Sequence, residues 1–369
     1  MSYRHARRVV IKRRAPPPSP APTLKLLAGL MLLLLALCAN TATAGAQQKK
    51  SARAAGNEET DETIRVETDL VNLHVRVVDE LNRPLRDVRR EEFRVFEDGV
   101  AQQIAFFSRE ETPLTYGLII ANTSFAQAQV GTFIGMGKTI IESNRAGDET
   151  FLARFRPQRR ASIEWRFTPD RAALFSALDE LRTVTRATAL YDCIYLSATY
   201  IAEQSDSSVE TRRGQLPRRR ALILVTDGED SGSHYKPAEL FEHLRATDVQ
   251  LYIVGFVKEP DAAEASRRRA AGGREQPRAL LERLARETGG RVFFPRTVAE
   301  LPRIAQEITR DLRTQYVIGY TPTNKARDGT FRRVRVSVAP GAAAEQQQQQ
   351  QQRTVITRDG YKTPRVTRN

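Results

Sequence analysis

Three segments of the sequence bring oxygen-bearing side chains to places where an α/β protein binds ligands. They are 119–124 (IIANTS), 187–192 (ATALYD) and 224–230 (LVTDGED). In a doubly wound sheet, ligands lie outside the carboxyl ends of the strands, near the point where the strand order reverses. Hydroxyl and carboxylate oxygens at such a place bind hard cations or polar partners. The chemistry that these segments predict is therefore binding.

The sequence offers little that hydrolytic catalysis needs, namely a nucleophile, a base and a group that orients the base. No GxSxG elbow, HExxH pair or P-loop occurs in it. The cysteines, Cys38 and Cys193, form no CxxC motif, and Cys193 is expected in the core of an apolar helix. We expect a protein that is not an enzyme and has no catalytic residues. An envelope hydrolase that uses the Asp227 loop, with His234 nearby, is the remaining alternative.

Strand-like and helix-like segments alternate between residues 113 and 314. Residues 221–226 (ALILVT) are apolar on both faces, as a central strand of a parallel sheet must be. Further strands are predicted at 117–121, 150–155, 163–167, 250–257 and 292–294, and helices at 128–143, 170–181, 190–203, 237–246 and 278–288. This alternation predicts an α/β fold with a doubly wound, mostly parallel sheet that helices cover on both faces.

Small antiparallel β modules are predicted on both sides of this domain. The first, at 62–112, contains the alternating segment 71–77 (VNLHVRV), whose polar face carries His74 and is expected to be solvated. The second, at 315–364, has predicted strands at 316–320, 331–338 and 355–357. It also holds a Gln-rich loop at 341–352, which low complexity marks as an insert.

In their order and spacing, the three polar segments resemble the von Willebrand factor A (VWA) domain, more narrowly the bacterial secreted proteins that carry a VWA-related domain. The flanks agree, because 93–99 (FRVFEDG) is similar to the N-terminal β module of that group. Similarly, 315–320 (QYVIGY) and 328–334 (DGTFRRV) resemble its C-terminal module. The resemblance covers about residues 64–364. It implies a VWA-like domain at 113–314 that binds protein partners, in adhesion or as a scaffold.

The resemblance also implies a metal-ion-dependent adhesion site (MIDAS), in which three loops supply oxygen ligands to Mg²⁺ or Mn²⁺. Thr188 and Asp227 match the second and third loops. The first loop departs from the family's DxSxS pattern: the gapless register sets 121–125 (ANTSF) against it, and a shift by one residue places Asn122 and Ser124 on its first two ligands. Either register lacks a carboxylate and a hydroxyl. We therefore expect a degenerate metal site and no cofactor, with a working Mg²⁺- or Mn²⁺-dependent adhesion site as the alternative.

The matched residues also have purely structural interpretations. Thr188 could cap the helix that follows it. Asp227-Gly228 could be no more than a turn between a strand and a helix. Glu229 and Asp230 are expected to be solvated loop acids.

Residues 1–44 have the features of a secretory signal peptide. Basic residues come first, an apolar run follows at 26–39, and Ala42-Thr43-Ala44 supplies the small residues that a signal peptidase recognises. The run is short for a bilayer span, which needs roughly 20 apolar residues, but a retained anchor is an alternative. Twin arginines and Cys38 leave the export route and lipidation open. We expect a secreted or periplasmic, envelope-associated protein with a flexible lead-in at 45–61.

The positive charge of the chain does not indicate a nucleic-acid partner. The formal net charge is +14, and seven of these charges lie in the leader. The Arg clusters at 212–213, 218–220 and 267–269 fall in predicted solvated loops without the interleaved aromatic residues that single-strand binders use for stacking. We expect protein ligands in the envelope or the extracellular space, no nucleic acid, and no membrane span after signal cleavage.

Overall fold

Strands from both ends of the described chain flank a central stretch in which strands and helices alternate. The computed structural model describes residues 70–109, 112–120, 130–156, 160–180, 189–207, 218–257, 276–339 and 353–365. The strands are β1 (Val71–Val78), β2 (Phe93–Glu97), β3 (Val100–Gln102), β4 (Ile104–Ser108), β5 (Leu114–Ile120), β6 (Glu149–Arg156), β7 (Arg160–Thr168), β8 (Arg219–Thr226), β9 (Gln250–Gly255), β10 (Arg291–Phe293), β11 (Tyr316–Tyr320), β12 (Phe331–Val338), β13 (Thr354–Ile356) and β14 (Gly360–Lys362). The α-helices are α1 (Val130–Glu142), α2 (Arg171–Asp179), α3 (Leu190–Ser207), α4 (Pro237–Ala246), α5 (Pro277–Glu287) and α6 (Leu301–Arg313).

The central elements build a six-stranded sheet in the order β10-β9-β8-β5-β6-β7. Its first five strands are parallel to one another, and β7 pairs antiparallel with β6. β8 is buried along nearly its whole length, because helices cover both faces of a parallel sheet and leave no room for a polar side. The predicted α/β class with a mostly parallel sheet is confirmed.

Helices form an apolar layer on each face of this sheet. One layer contains α1, α2 and α6, with Phe133, Leu178 and Ile308 in its interior. The other contains α3, α4 and α5, with Ile194 and Leu240 in its interior. Burying each such side chain contributes roughly 1.5–3 kcal/mol, so the two layers fix where the strands begin and end. Cys193 is in the second layer, as predicted for a core residue, and burial raises the pKa of its thiol to about 12.

Two four-stranded antiparallel sheets, in the orders β13-β1-β11-β4 and β14-β12-β2-β3, enclose a third apolar core. We call β1–β4 and β11–β14 the β unit. The segments predicted as separate modules at 62–112 and 315–364 thus contribute strands to the same two sheets. The long-range pairing of β11 with both β1 and β4 brings them together. Between β2 and β3, Asp98 and Gly99 have φ of 47° and 85°, as the turn of a tight hairpin requires.

The polar face of β1 is buried, so the expectation of a solvated His74 is wrong. His74 is 5% exposed and Arg76 2% exposed, because this face lies against the amino ends of the six-stranded sheet. Arg76 forms a buried ion pair with Asp311 of α6 and donates to the carbonyl oxygen of Gly290 at 3.3 Å. Alternation in the sequence shows that a face is polar, and only tertiary packing determines what covers it.

The arginine cluster at 218–220 is also only partly solvated. Arg219 begins β8, is 1% exposed and donates to the carbonyl oxygen of Leu312. Burial and the nearby charge of Arg313 lower its pKa to about 10, against the opposing influence of Tyr252. The expectation of a solvated loop is wrong for this residue because β8 begins two residues earlier than predicted.

Several predicted segments lie outside the described residues, namely the signal peptide at 1–44, the lead-in at 45–61 and the Gln-rich loop at 341–352. Among the described helices, none is long and apolar enough to cross a membrane.

Candidate functional site

The strand order of the six-stranded sheet reverses around β5. This strand pairs in parallel with β6 on one side and with β8 on the other. Ile120, at the carboxyl end of β5, therefore lies beside Val225, near the carboxyl end of β8. Such a switch point is where doubly wound sheets bind ligands. We call the segment 227–235, which follows β8, the switch loop.

A tight turn opens the switch loop. Gly228 has φ of +78°, and a Cβ at this position would lie 3.0 Å from the Cβ of Pro277. The Gly228 N–H donates to Thr226 Oγ1 at 3.0 Å, and the Glu229 N–H donates to Asp227 Oδ1 at 3.2 Å. Glycine is needed here for both its backbone conformation and the close approach of α5. Asp227 is thereby held at the switch point, half-buried.

The middle of the switch loop caps the helix α3. The Leu190 N–H donates to Asp230 Oδ1 at 2.8 Å, and the N–H groups of Tyr191 and Asp192 donate to Ser233 Oγ at 3.0 and 3.2 Å. These N–H groups belong to the first turn, which has no acceptors within the helix itself. The negative charge of Asp230 also complements the positive end of the helix dipole. The expectation of a solvated Asp230 is wrong, because this carboxylate is fixed against α3.

The helix holds the loop in return. Asp192, in the first turn of α3 and 8% exposed, accepts hydrogen bonds from the N–H groups of His234 and Tyr235 at 2.8 and 2.9 Å. Carboxylates therefore bridge the two elements in both directions. These hydrogen bonds give the switch loop a defined conformation.

An aromatic stack, which no motif in the sequence predicts, extends from the end of the switch loop along α3 and α4. The ring of Tyr195 lies 3.8 Å from the rings of both Tyr235 and His243, measured between centroids, and the planes are nearly parallel. His243 Nε2 also hydrogen bonds to Thr199 Oγ1 at 2.9 Å. A shallow depression of about 470 Å³ runs along these rings and is bordered by Glu239 and Glu242. The three rings come from different elements, so no local pattern marks them.

Of the residues predicted as metal ligands, Asp227 lies at the switch point. Asn122, Ser124 and Thr188 lie outside the described residues. Within the part of the chain that the structure describes, no group of three or more His, Cys, Asp or Glu side chains is arranged to hold a metal ion. The ligand set therefore stays a prediction.

The fold and its switch point agree with a match to a known family. Residues 142–307 match the family model of the von Willebrand factor type A domain. The chain contains a VWA domain. The match runs from the end of α1 into α6 and includes the switch loop, whereas the segment that holds Asn122 and Ser124 precedes it. No curated protein matches the chain.

Part of the chain is similar to solved structures. A von Willebrand factor type A protein from Catenulispora acidiphila is 13% identical, with 74% of this chain and 70% of that chain covered and a TM-score of 0.41. An aerotolerance-related membrane protein from Bacteroides fragilis is 14% identical, with 53% and 98% covered and a TM-score of 0.38. BatB from Bacteroides thetaiotaomicron is also 14% identical, with 54% and 98% covered and a TM-score of 0.38.

The VWA domain defines the general kind of function. VWA domains mediate protein interactions, so the chain carries a protein-interaction module. The prearranged switch loop is the part of this module that lies at the carboxyl edge of the sheet.

Proposed function

We propose that the protein is an exported VWA protein that binds a protein ligand at the switch loop and the neighbouring aromatic stack, without a bound metal. The observation that carries the proposal is the reciprocal capping of α3 and the switch loop by Asp230, Ser233 and Asp192. A loop that is already ordered loses little conformational entropy when a partner binds, and this favours affinity.

The composition of the site supports binding without a metal. Asp230 and Ser233 already accept hydrogen bonds from the first turn of α3. The first MIDAS-like loop lacks a carboxylate in either register, and the family match begins after it. Mg²⁺ gives up its water reluctantly and binds proteins through carboxylates. Asp227 is the single carboxylate among the matched ligand positions. The affinity of such a site for Mg²⁺ is therefore expected to be weak.

The aromatic stack supports a protein as the ligand. Tyr195 and Tyr235 are half-buried, so their rings are held in place but still present a face to solvent. Tyrosine is enriched at the centres of protein interfaces because a rigid ring buries a large area at a low entropic cost. Glu239 and Glu242 border the rings, which favours a partner with basic or hydrogen-bond-donating groups at its rim.

Export to the envelope or the extracellular space is part of the same proposal, and the signal-like leader at 1–44 supports it. A protein ligand in those compartments follows from this location. Because Cys193 is buried and is the one cysteine after the leader, the exported chain forms no internal disulfide.

A capture experiment tests the proposal. The chain from Gly45 onward is immobilised and exposed to envelope fractions in EDTA or in Mg²⁺, and the captured proteins are quantified. Wild-type capture is expected to be equal in both conditions. Tyr235→Ala, which removes one ring of the stack, should reduce capture about tenfold, in the range of an interface hot spot. Lys325→Glu, at an exposed site in the β unit, should leave capture unchanged.

Two outcomes would contradict the proposal. Capture that EDTA abolishes and Mg²⁺ or Mn²⁺ restores, with Asp227→Ala inactive in both, would establish the metal-dependent adhesion site instead. Capture that Tyr235→Ala and Lys325→Glu reduce equally would show that the ligand binds away from the switch loop.

A further inference from the structure

A cleft of about 310 Å³ lies between the β unit and the amino edge of the six-stranded sheet. Its walls come from the start of β1, the start of β8, the end of α4, the segment after β11, and β12 and β14 with their neighbours. Clefts between packed parts of a protein are common places for small ligands. This cleft is separate from the switch loop, which follows the opposite ends of the strands.

Seven of the eighteen residues that line the cleft are cationic. The sheet side contributes Arg220 and Arg245. The β unit contributes Lys325, Arg327, Arg332, Arg358 and Lys362. Among the described lining residues, Asp248 is the one carboxylate. The cations come from both walls, and four of them also pair with carboxylates: Arg245 with Glu242 and Glu287, Arg332 with Glu97, Arg358 with Asp248, and Lys362 with Glu242.

Several of these cations are held in fixed orientations. Arg332 is buried, pairs with Glu97 at 3.0 Å and donates to the carbonyl oxygen of Asn324 at 2.6 Å. Arg358 pairs with Asp248 at 3.1 Å and donates to the carbonyl oxygen of Asn72 at 2.9 Å. Because these contacts already order the two side chains, less conformational entropy is lost when an anion binds. A guanidinium group that is held in this way suits multivalent oxyanions.

Two N–H donors of these arginines have no acceptor among the described residues. Nε of Arg332 and Nε of Arg358 are buried and have no hydrogen-bond acceptor there. Apolar groups complete the walls, among them Val71, Pro322 and the ring of Tyr361. Low-dielectric walls strengthen the electrostatic potential of the charges inside a cleft.

The titration of groups beside the cleft reflects this positive potential. Partial burial acts to raise the pKa of Asp248, but Arg358, His74 and Arg220 together bring it below its ordinary value. Burial, and after it the charges of Arg219, Arg358 and Arg220, lower the pKa of His74 to about 4 against the opposing charge of Asp248. The first shift favours the negatively charged carboxylate of Asp248, and the second favours the neutral imidazole of His74.

We infer that this cleft binds a small polyvalent phosphate anion, with a diphosphate as the class that fits its volume and its opposed cations. The anion would contact cations of the β unit and of the VWA domain at the same time. Binding would therefore stabilise the junction of the two parts and raise the melting temperature, since a ligand that binds only the folded state stabilises it. The site is independent of the protein ligand proposed for the switch loop.

Titration of the full chain from Gly45 with inorganic pyrophosphate tests this inference. At low ionic strength we expect saturable binding by calorimetry, a rise in melting temperature, and weakening as salt screens the charges. Lys325→Glu/Arg327→Glu changes two lining cations on one solvent-facing segment and should weaken binding about tenfold or more, equivalent to at least about 1.4 kcal/mol. Lys325→Arg/Arg327→Lys should retain it.

The matched control is Arg296→Glu/Arg310→Glu, which makes the same change in net charge at two exposed positions away from the cleft. It should leave pyrophosphate affinity within about twofold. Equal weakening by both double variants would overturn the inference, because it would show attraction by overall charge. Absence of pyrophosphate binding to the wild-type chain would also overturn it, including when the chain binds vesicles that contain phosphatidic acid.

Discussion

The two edges of the six-stranded sheet use polar residues in opposite ways. At the carboxyl edge, the switch loop keeps Asp227 half-buried and Glu229 exposed, and its hydrogen bonds order a surface that faces solvent. At the amino edge, Arg76, Asp311 and Arg219 are almost fully buried where the β unit packs against the sheet. Charged residues at a strand end therefore serve either an exposed loop or a buried junction, according to what packs against them.

The amino edge is a buried ionic junction. Arg76 pairs with Asp311, and Arg313 pairs with Asp148, whose Oδ1 also accepts from the Leu114 N–H at 2.8 Å. Each of these charges has left water, and desolvation of that kind is tolerated only when a partner is present. The junction thus fixes how the β unit attaches to the VWA domain. At the carboxyl edge, the described switch loop includes the exposed Glu229 and the half-buried Asp227.

The largest effect is expected from breaking the buried pair. Asp311→Ala leaves the guanidinium of Arg76 buried without its carboxylate and should lower the free energy of unfolding by about 3–5 kcal/mol. Urea titration followed by circular dichroism measures this. Asp179→Ala removes a partly exposed pair with Lys138, formed at 2.7 Å, and should cost less than about 1 kcal/mol. Equal costs for the two variants would mean that the junction is not a desolvated ionic contact.

A smaller effect is expected from pH, through His74. Its pKa is lowered to about 4, first by burial and then by Arg219, against 6.5 for the ordinary side chain. Between these values the unfolded chain binds the proton and the folded chain does not, so stability is lost as the pH falls through this window. The loss should reach roughly 2 kcal/mol by about pH 5.

The free energy of unfolding at about pH 7 and about pH 5 measures the contribution of His74. His74→Gln should remove that part of the slope, while substitution of the half-buried His243 should leave most of it. If the free energy of unfolding of His74→Gln still falls with pH as it does in the wild-type chain, the pH dependence belongs to other groups. The buried amino edge would then not differ from the carboxyl edge in this respect.

At the carboxyl edge the expected stability effects are smaller. Asp230→Ala removes the acceptor of the Leu190 N–H and should cost about 1–2 kcal/mol, the range of a helix cap. Hydrogen exchange at the first turn of α3 should increase with it. Glu229→Ala, one residue earlier and exposed, should cost about 0.5 kcal/mol or less. Unchanged exchange in Asp230→Ala would show that the loop and the helix are ordered independently.

The smallest expected effect is a gain of metal binding. Asn122→Asp/Ala126→Ser supplies the missing carboxylate and hydroxyl of the first loop in one of its two registers. Calorimetry with Mg²⁺ should then give a measurable heat of binding. At a free Mg²⁺ concentration a few times the Kd, the free energy of unfolding should rise by roughly 1 kcal/mol. The wild-type chain should show neither change. Mg²⁺ binding by the wild-type chain that Asp227→Ala abolishes would contradict a degenerate site.

Local patterns in the sequence were sufficient for most elements of the fold. The doubly apolar run at 221–226 predicted the central strand β8, and α4 (Pro237–Ala246) begins and ends where the sequence predicts. Asp170 was predicted to start a helix and does cap α2, accepting from the N–H groups of Ala172 and Ala173. These features depend on side-chain periodicity and capping within a few residues, which a single sequence records directly.

The candidate site was predictable in position and only partly in detail. The polar residues after β8 indicated the switch loop, but Asp230 was expected in solvent and instead caps α3. Its acceptor role depends on residues about 40 positions apart in the chain. The aromatic stack of Tyr195, Tyr235 and His243 escaped prediction for the same reason. Contacts between distant segments leave no local periodicity.

Periodicity and motif order were enough to predict the class of the protein: an α/β sheet with polar loops at its strand ends, a VWA-like order of motifs, and a first loop without the carboxylate of a metal site. Long-range packing determines which polar residues are buried. His74, Arg76 and Arg219 are buried where the β unit meets the sheet, because strands from both ends of the described chain pair with each other and pack against the amino edge of the sheet. Burial is a property of such long-range packing, and the same arginine is a solvated charge or a structural contact according to what lies above it.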